Sequence, residues 1–376
     1  MGDKVLKEFE EKVLETAKKF DFLCRFRELF EAGKHSELTK ACKETIDGIL
    51  NLAETNDENS ILLLYSCCFG IMSSINDKLS VDAETKALEF IDIGLIMCGN
   101  HLFSHYFETF AGLFCSNLPH NHSDTTSDYI CKELPLKDEL NSNLKVLNGV
   151  MSIKKFEELA ALGKPFVIRN LASDWPCVKK WRCISFWQRY NNRIVPVEKG
   201  SDYTDPSWSM SLTKIETFLE DIQTTNNYIA QHNLLKQIPE LAKDLEQLEF
   251  CFASVPNSPE GSHLEEPMMN VWFGGSNTIS PLHYDNYNNI LVQAVGYKFL
   301  RLIDPEFSSS LYPMDGELYN TSQINVMHPN YEKYPKFNNV PFIDVTLGPG
   351  DALYIPPLWW HYVQSLSPSI SLSHWF

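Results

Sequence analysis

The stretch Ile290-Leu291-Val292-Gln293-Ala294-Val295-Gly296-Tyr297-Lys298-Phe299-Leu300-Arg301-Leu302-Ile303 decides the fold class. Two short apolar runs flank a glycine, which predicts two strands joined as a hairpin. Phe342 to Leu347, the turn Gly348-Pro349-Gly350-Asp351 and Ala352 to Ile355 repeat the plan as a second hairpin. Pro165 to Arg169 predicts a further short strand, and Ser369 to Ser373 alternates polar and apolar residues. Many short strands with Gly/Pro turns point to a jelly-roll or barrel. Helices over 212–222 and 241–248 are expected to decorate it.

Outward from this core the composition changes. The chain has 376 residues and a net charge of −17. Residues 1–140 carry 14 Lys+Arg and 25 Asp+Glu, whereas all eight tryptophans and 18 of the 20 prolines lie beyond residue 140. The first part reads as helices. Val5, Phe9, Val13, Leu14, Ala17 and Phe20 fall at helical spacing, and segments from 36 to 52, 60 to 75, 82 to 97 and 101 to 114 complete a four- to five-helix array. Residues 118–143 read as a linker, with Leu118-Pro119 ending the helices and a polar run from His120 to Asp128. His120-x-His122, and His101 with His105, are weak metal patterns better read as solvated linker and helix face.

The acidic balance makes sequence-independent nucleic-acid binding a poor expectation, since that binding needs phosphates neutralised by Lys and Arg. No apolar run approaches the roughly 20 residues that span a bilayer, and the charged N-terminus has no signal-peptide core. The ten cysteines include no C-x-x-C pair and read as buried thiols of a reducing compartment. The sequons at Asn121 and Asn320 carry no weight without a secretory signal.

The sharpest motif is His283-Tyr284-Asp285. In a strand, residues i and i+2 share a face about 6.6 Å apart, so an imidazole and a carboxylate can grip one cation. His361, in Pro356-Pro357-Leu358-Trp359-Trp360-His361, follows a turn and a strand that a barrel can bring alongside. Two His and one carboxylate suit non-haem Fe(II) with open positions. Zinc hydrolysis uses a similar set, although no H-E-x-x-H is present, and an unrelated buried His–Asp pair is the plainest alternative. Lys298, facing the barrel interior, would supply a cation for the remote carboxylate of a 2-oxoacid; otherwise it is a surface lysine near a turn.

These residues resemble a known family. Asn270-Val271-Trp272-Phe273-Gly274-Gly275, Thr278-Ile279-Ser280-Pro281-Leu282-His283-Tyr284-Asp285 and Pro349-Gly350-Asp351-Ala352-Leu353-Tyr354-Ile355-Pro356 through Trp360-His361 are similar to the JmjC 2-oxoglutarate oxygenases. Tyr228-Ile229-Ala230-Gln231-His232-Asn233 and Asn320-Thr321-Ser322-Gln323 add to the likeness, which is strong over 165–376. The resemblance implies an α+β chain: an all-helical domain over 1–117, a linker over 118–143, and a JmjC catalytic domain over 144–376. That domain would be a double-stranded β-helix (jelly-roll, cupin-like) with flanking helices.

By the same resemblance, His283, Asp285 and His361 would be the iron ligands and catalytic residues. Tyr228, Ser280, Asn289 and Lys298 would contact 2-oxoglutarate. Glu198, Trp272 and Trp375, joined by Tyr203 and Gln231, would form the substrate pocket. An acidic group beside aromatic faces suits a guanidinium, although the tryptophans could be core aromatics and Glu198 an exposed strand charge. His374 departs from the family pattern, which has an apolar residue there. The implied activity is Fe(II)-, 2-oxoglutarate- and O₂-dependent hydroxylation of arginine at C-3 in a basic protein substrate, by a monomer in nucleus or cytoplasm with no nucleic-acid or membrane partner. N-methyl-lysine demethylation, a histone-tail peptidase activity and an inert scaffold are the competing readings.

Overall fold

The computed structural model describes all residues except 1, 53–55, 78–81, 100, 116–128, 132–143, 257–258 and 263. Among the described residues six α-helices come first: α1 (Gly2–Ala17), α2 (Cys24–Glu31), α3 (His35–Leu50), α4 (Asp57–Asn76), α5 (Ala83–Met97) and α6 (Ser104–Cys115). Phe9 of α1, fully buried, packs edge-on against Phe103, Phe107 and Phe110 and so ties the first helix to the last. The side chain of Asn56 caps α4 by accepting from the Asn59 N–H. At 20 residues α4 is long and apolar enough to cross a bilayer, which corrects the expectation from the sequence; 61% of its apolar window is buried against the protein, as in a core helix. His101 accepts a hydrogen bond from the Phe103 N–H and packs on Phe107 rather than pairing with His105.

Thirteen strands follow among the described residues. The large sheet runs β1 (Lys145–Asn148), β2 (Phe166–Arg169), β11 (Ala352–Ile355), β8 (Asn289–Val295), β13 (Ser369–Trp375), β6 (Met268–Gly274), β5 (Tyr228–His232), β3 (Ile194–Lys199), β4 (Ser209–Lys214). The small sheet runs β10 (Ile343–Leu347), β9 (Lys298–Ile303), β12 (Trp360–Ser365), β7 (Ile279–His283). The two expected hairpins are therefore not hairpins. β8 and β9 lie in opposite sheets, and so do β10 and β11. Gly296, at φ 72, makes the first crossing; a Cβ there would sit 2.1 Å from the Pro368 carbonyl oxygen. Each turn is a corner between sheets, the arrangement of a jelly-roll.

Strand alternation divides the large sheet into two faces. Ile290, Val292, Ala294, Ile370 and Leu372 join a cluster that continues into the helices as far as Phe9. Leu291 and Leu353 point the other way and pack with Leu300, Leu302, Val345 and Val363 between the sheets. Both faces of β8 are thus covered, which explains its unbroken apolar run.

Hydrogen bonds also join the helices to the sheet. Asp92 of α5 makes a bidentate pair with Arg193, with Nη2 to Oδ1 at 2.6 Å and Nε to Oδ2 at 2.9 Å, and accepts from the Ile194 N–H at 2.8 Å. Both side chains are buried. Gln237 bridges the Ile194 carbonyl and His232 Nε2, which links β3 to β5.

Two decorating segments differ from expectation. Residues 212–214 complete β4, and only Ile215–Asp221 is helix. Pro239–Asp244 is a 3-10 turn whose stretch to Leu248 is irregular. Most of the expected linker, with His120, Asn121 and His122, lies outside the described residues. Of the rest, Tyr129 bridges Cys183, and the Ile130 N–H donates to the Arg182 carbonyl at 2.7 Å. The nine described cysteines are free thiols.

Candidate metal centre

β7 and β12 are antiparallel neighbours, and their register sets His283 opposite His361. The ring centroids lie 4.2 Å apart. His283 Nδ1 meets the Pro281 carbonyl at 2.7 Å, and His361 Nδ1 meets the Trp359 carbonyl at 2.9 Å. A carbonyl accepts only, so each Nδ1 donates and each Nε2 is the nitrogen turned to the cluster. Asp285 turns its carboxylate to both, at 3.9 Å from His283 Nε2 and 3.7 Å from His361 Nε2. Among the described residues this is the one cluster of three or more His, Cys, Asp or Glu side chains whose donor atoms converge, all within 4.8 Å. Burial and the neighbouring His283 push His361 down to about 4, so it stands neutral at pH 7. Two imidazoles and one carboxylate fit a divalent first-row metal such as iron.

Between the sheets the triad opens into a narrow cavity. Tyr228, Trp272, Ser280, Asn289 and Lys298, all expected from the sequence, line it with His283, Asp285 and His361. Lys298 is buried, and its Nζ donates to the Tyr228 hydroxyl at 3.1 Å. Burial alone pushes its ammonium down to about 7, and among the described residues no carboxylate pairs with it. Burial raises the Tyr228 phenol, which Ser280 also meets by a hydrogen bond. Asn289 Oδ1 is buried without a partner. A buried cation and a phenol at the inner end of a cavity suit a small anion.

The expected substrate residues are spread more widely. Trp272 donates from Nε1 to Ser373 Oγ at 2.9 Å and lies 6.0 Å from the Tyr228 ring. Trp375 shares the inner face of β13 with Ser373, lies opposite Asn289 and sits 6.0 Å from Tyr287. Its Nε1 has no partner. Glu198 pairs in register with Tyr228, and burial raises its carboxyl against a hydrogen bond from Trp208. Burial pushes Tyr203 up to about 12; it bonds Thr321 and feels the charges of Asp285, Asp202 and Glu198. Gln231 is exposed at φ 47 beside a bulge in β5 and is not among the lining residues. His374 takes the opposite face of β13, toward Trp175, so the departure there leaves the cleft side alone. Sequence reasoning missed the cavity walls Leu291, Ile355, Val363 and Ser373. The first three look like ordinary core residues, and only alternation along their strands marks them.

Residues 152–376 match the family model described as Cupin-like domain. The chain is 40% identical to lysine-specific demethylase 8 of Xenopus tropicalis, over 57% of this chain and 48% of that protein. It is 38% identical to Jumonji C domain-containing protein 5 of Drosophila melanogaster, over 57% and 55%. It is 30% identical to lysine-specific demethylase 8 of Danio rerio, over 83% and 79%. The chain thus spans about half the length of the first two relatives and more of the third. On the family match and this last relative, the chain belongs to the cupin-like JmjC family of 2-oxoglutarate oxygenases.

Proposed function

We propose that the chain is an Fe(II)- and 2-oxoglutarate-dependent protein hydroxylase acting on C-3 of arginine. Glu198 carries this reading. It is a partly buried carboxylate directly opposite Tyr228 in register, with no ion-pair partner among the described residues, near Tyr203 and on the sheet that bears Trp272 and Trp375. A guanidinium satisfies such a carboxylate and stacks on indole faces. The net charge of −17 suits a basic protein substrate through steering that salt weakens.

In this reading His283, Asp285 and His361 hold the iron. Lys298 pairs with the distal carboxylate of 2-oxoglutarate, with Tyr228, Ser280 and Asn289 around it. Iron, 2-oxoglutarate and O₂ together supply the chemistry that oxidises a C–H bond. The cavity walls Leu291, Ile355 and Val363 keep water from the inner end, and Glu198 with the two tryptophans orients the side chain to be oxidised.

Two of the relatives are named as demethylases, so N-methyl-lysine demethylation is the second reading. Product mass separates the two. Incubation with an arginine peptide is expected to add one oxygen, and loss of a methylene unit from a methyl-lysine peptide with no oxygen gain on arginine overturns the proposal. The His283→Ala protein is expected to give neither product.

A further inference from the structure

We propose that Asn320 is a positioning residue of the metal centre, clamping the residue that joins two of its ligands; this rests on the metal reading above. β7 is the edge strand of the small sheet and ends at His283, so His283-Tyr284-Asp285 leaves the sheet where backbone groups have no neighbouring strand. From the β12 side, the Leu358 N–H donates to the Asp285 carbonyl at 2.8 Å. From the open side, the segment 320–322 lies along the edge. The Ser322 N–H donates to the Leu282 carbonyl at 2.8 Å, and Thr321 forms a bridge with His283.

Tyr284 has both its main-chain groups held by one residue. Its N–H donates to the Asn320 carbonyl at 3.0 Å, and its carbonyl accepts from Asn320 Nδ2 at 2.8 Å. The first group belongs to the peptide joining His283 to Tyr284, and the second to the peptide joining Tyr284 to Asp285. Fixing both planes fixes the directions in which the imidazole and the carboxylate leave the chain. The amide orientation is set by chemistry, because only the nitrogen can donate to a carbonyl. The Tyr284 ring lies 4.9 Å from Trp360, which precedes the third ligand. The Asn320-Thr321-Ser322 sequon, idle in the sequence, is occupied here by internal bonds.

The test uses the full chain stripped of metal by chelation and titrated with Co(II), reading affinity and the ligand-field absorption spectrum. Asn320→Ala keeps the backbone bond and loses the side-chain donor. It is expected to bind Co(II) roughly ten- to hundredfold more weakly, the usual effect of removing a partner beyond the ligands, with a shifted spectrum. Gln323→Ala, in the same segment but exposed and bonded only to Pro313 through its side chain, is expected to match wild type. If Asn320→Ala does not fold, Asn320→Asp, which keeps the shape and places an acceptor against the carbonyl, carries the test. Wild-type affinity and spectrum in the Asn320 variants overturn the proposal, as does an equal loss in Gln323→Ala. Failure of wild type to bind Co(II) overturns the metal reading itself.

Discussion

His283 and His361 face each other across an antiparallel strand pair, and each has its Nδ1 tied to the carbonyl two residues before it. The lone pairs that converge on Asp285 are therefore oriented by the backbone before any metal arrives. Binding has little side-chain entropy left to remove.

A divalent metal is accordingly expected to raise the melting temperature. At 100 times its dissociation constant the stabilisation is about 2.7 kcal/mol. Differential scanning fluorimetry with Mn(II) checks this, and His283→Ala and His361→Ala are each expected to abolish the shift. A retained shift in either variant would place the metal elsewhere.

Lys298 gives a pH dependence. Its buried ammonium titrates near 7 instead of 10.5. In that interval the unfolded chain holds more protons than the folded one, so this group's contribution to stability rises with pH. Under the proposed function, pairing with 2-oxoglutarate requires the charged form. Its affinity is expected to be flat below about pH 6 and to fall roughly tenfold per unit well above 7. Calorimetry in buffers of different ionisation enthalpy is expected to detect proton uptake on binding, and a flat profile to pH 9 would remove the pairing.

Glu198→Gln keeps shape and removes charge. For an arginine peptide, KM is expected to rise roughly tenfold or more, since a charge-assisted bond contributes about 1.5–3 kcal/mol. Co(II) affinity, measured in parallel, locates the loss in the substrate cleft. An unchanged KM would sever Glu198 from the substrate.

Asp92→Ala strands the Arg193 charge inside the protein. The expected cost is about 3–5 kcal/mol in urea unfolding, and an Asp92→Ala/Arg193→Met double variant is expected to recover much of it. Independent melting of helices and sheet in wild type would contradict this coupling.

The triad was legible because a strand period places His283 and Asp285 on one face, and the turn before β11 announces a return strand. The helices from α3 to α6 were legible from their period. Pairing was not. A strand, a glycine and another strand look alike whether the chain folds back or crosses to the facing sheet, and the close approach of Gly296 to the Pro368 carbonyl, far along the chain, leaves no local record. The Asp92–Arg193 pair was illegible for the same reason, since an isolated charge in an apolar helix carries no record of its partner. Leu212 was misread because Leu212, Ile215, Leu219 and Ile222 keep a helical spacing across the junction of β4 and the helix after it.

β13 lies in the middle of the large sheet, between β6 and β8, and both of those strands are synthesised long before it. Until it is made, β6 and β8 lack the strand that pairs with both. Non-local pairings of this kind form slowly, and open edges invite intermolecular pairing. Losing β1 or β4 would trim the sheet at its border, whereas losing Ser369–Trp375 would split it into two sheets, one bearing Asn289 and the other Tyr228 and Trp272. The continuity of the large sheet thus rests on one strand made after the two it joins.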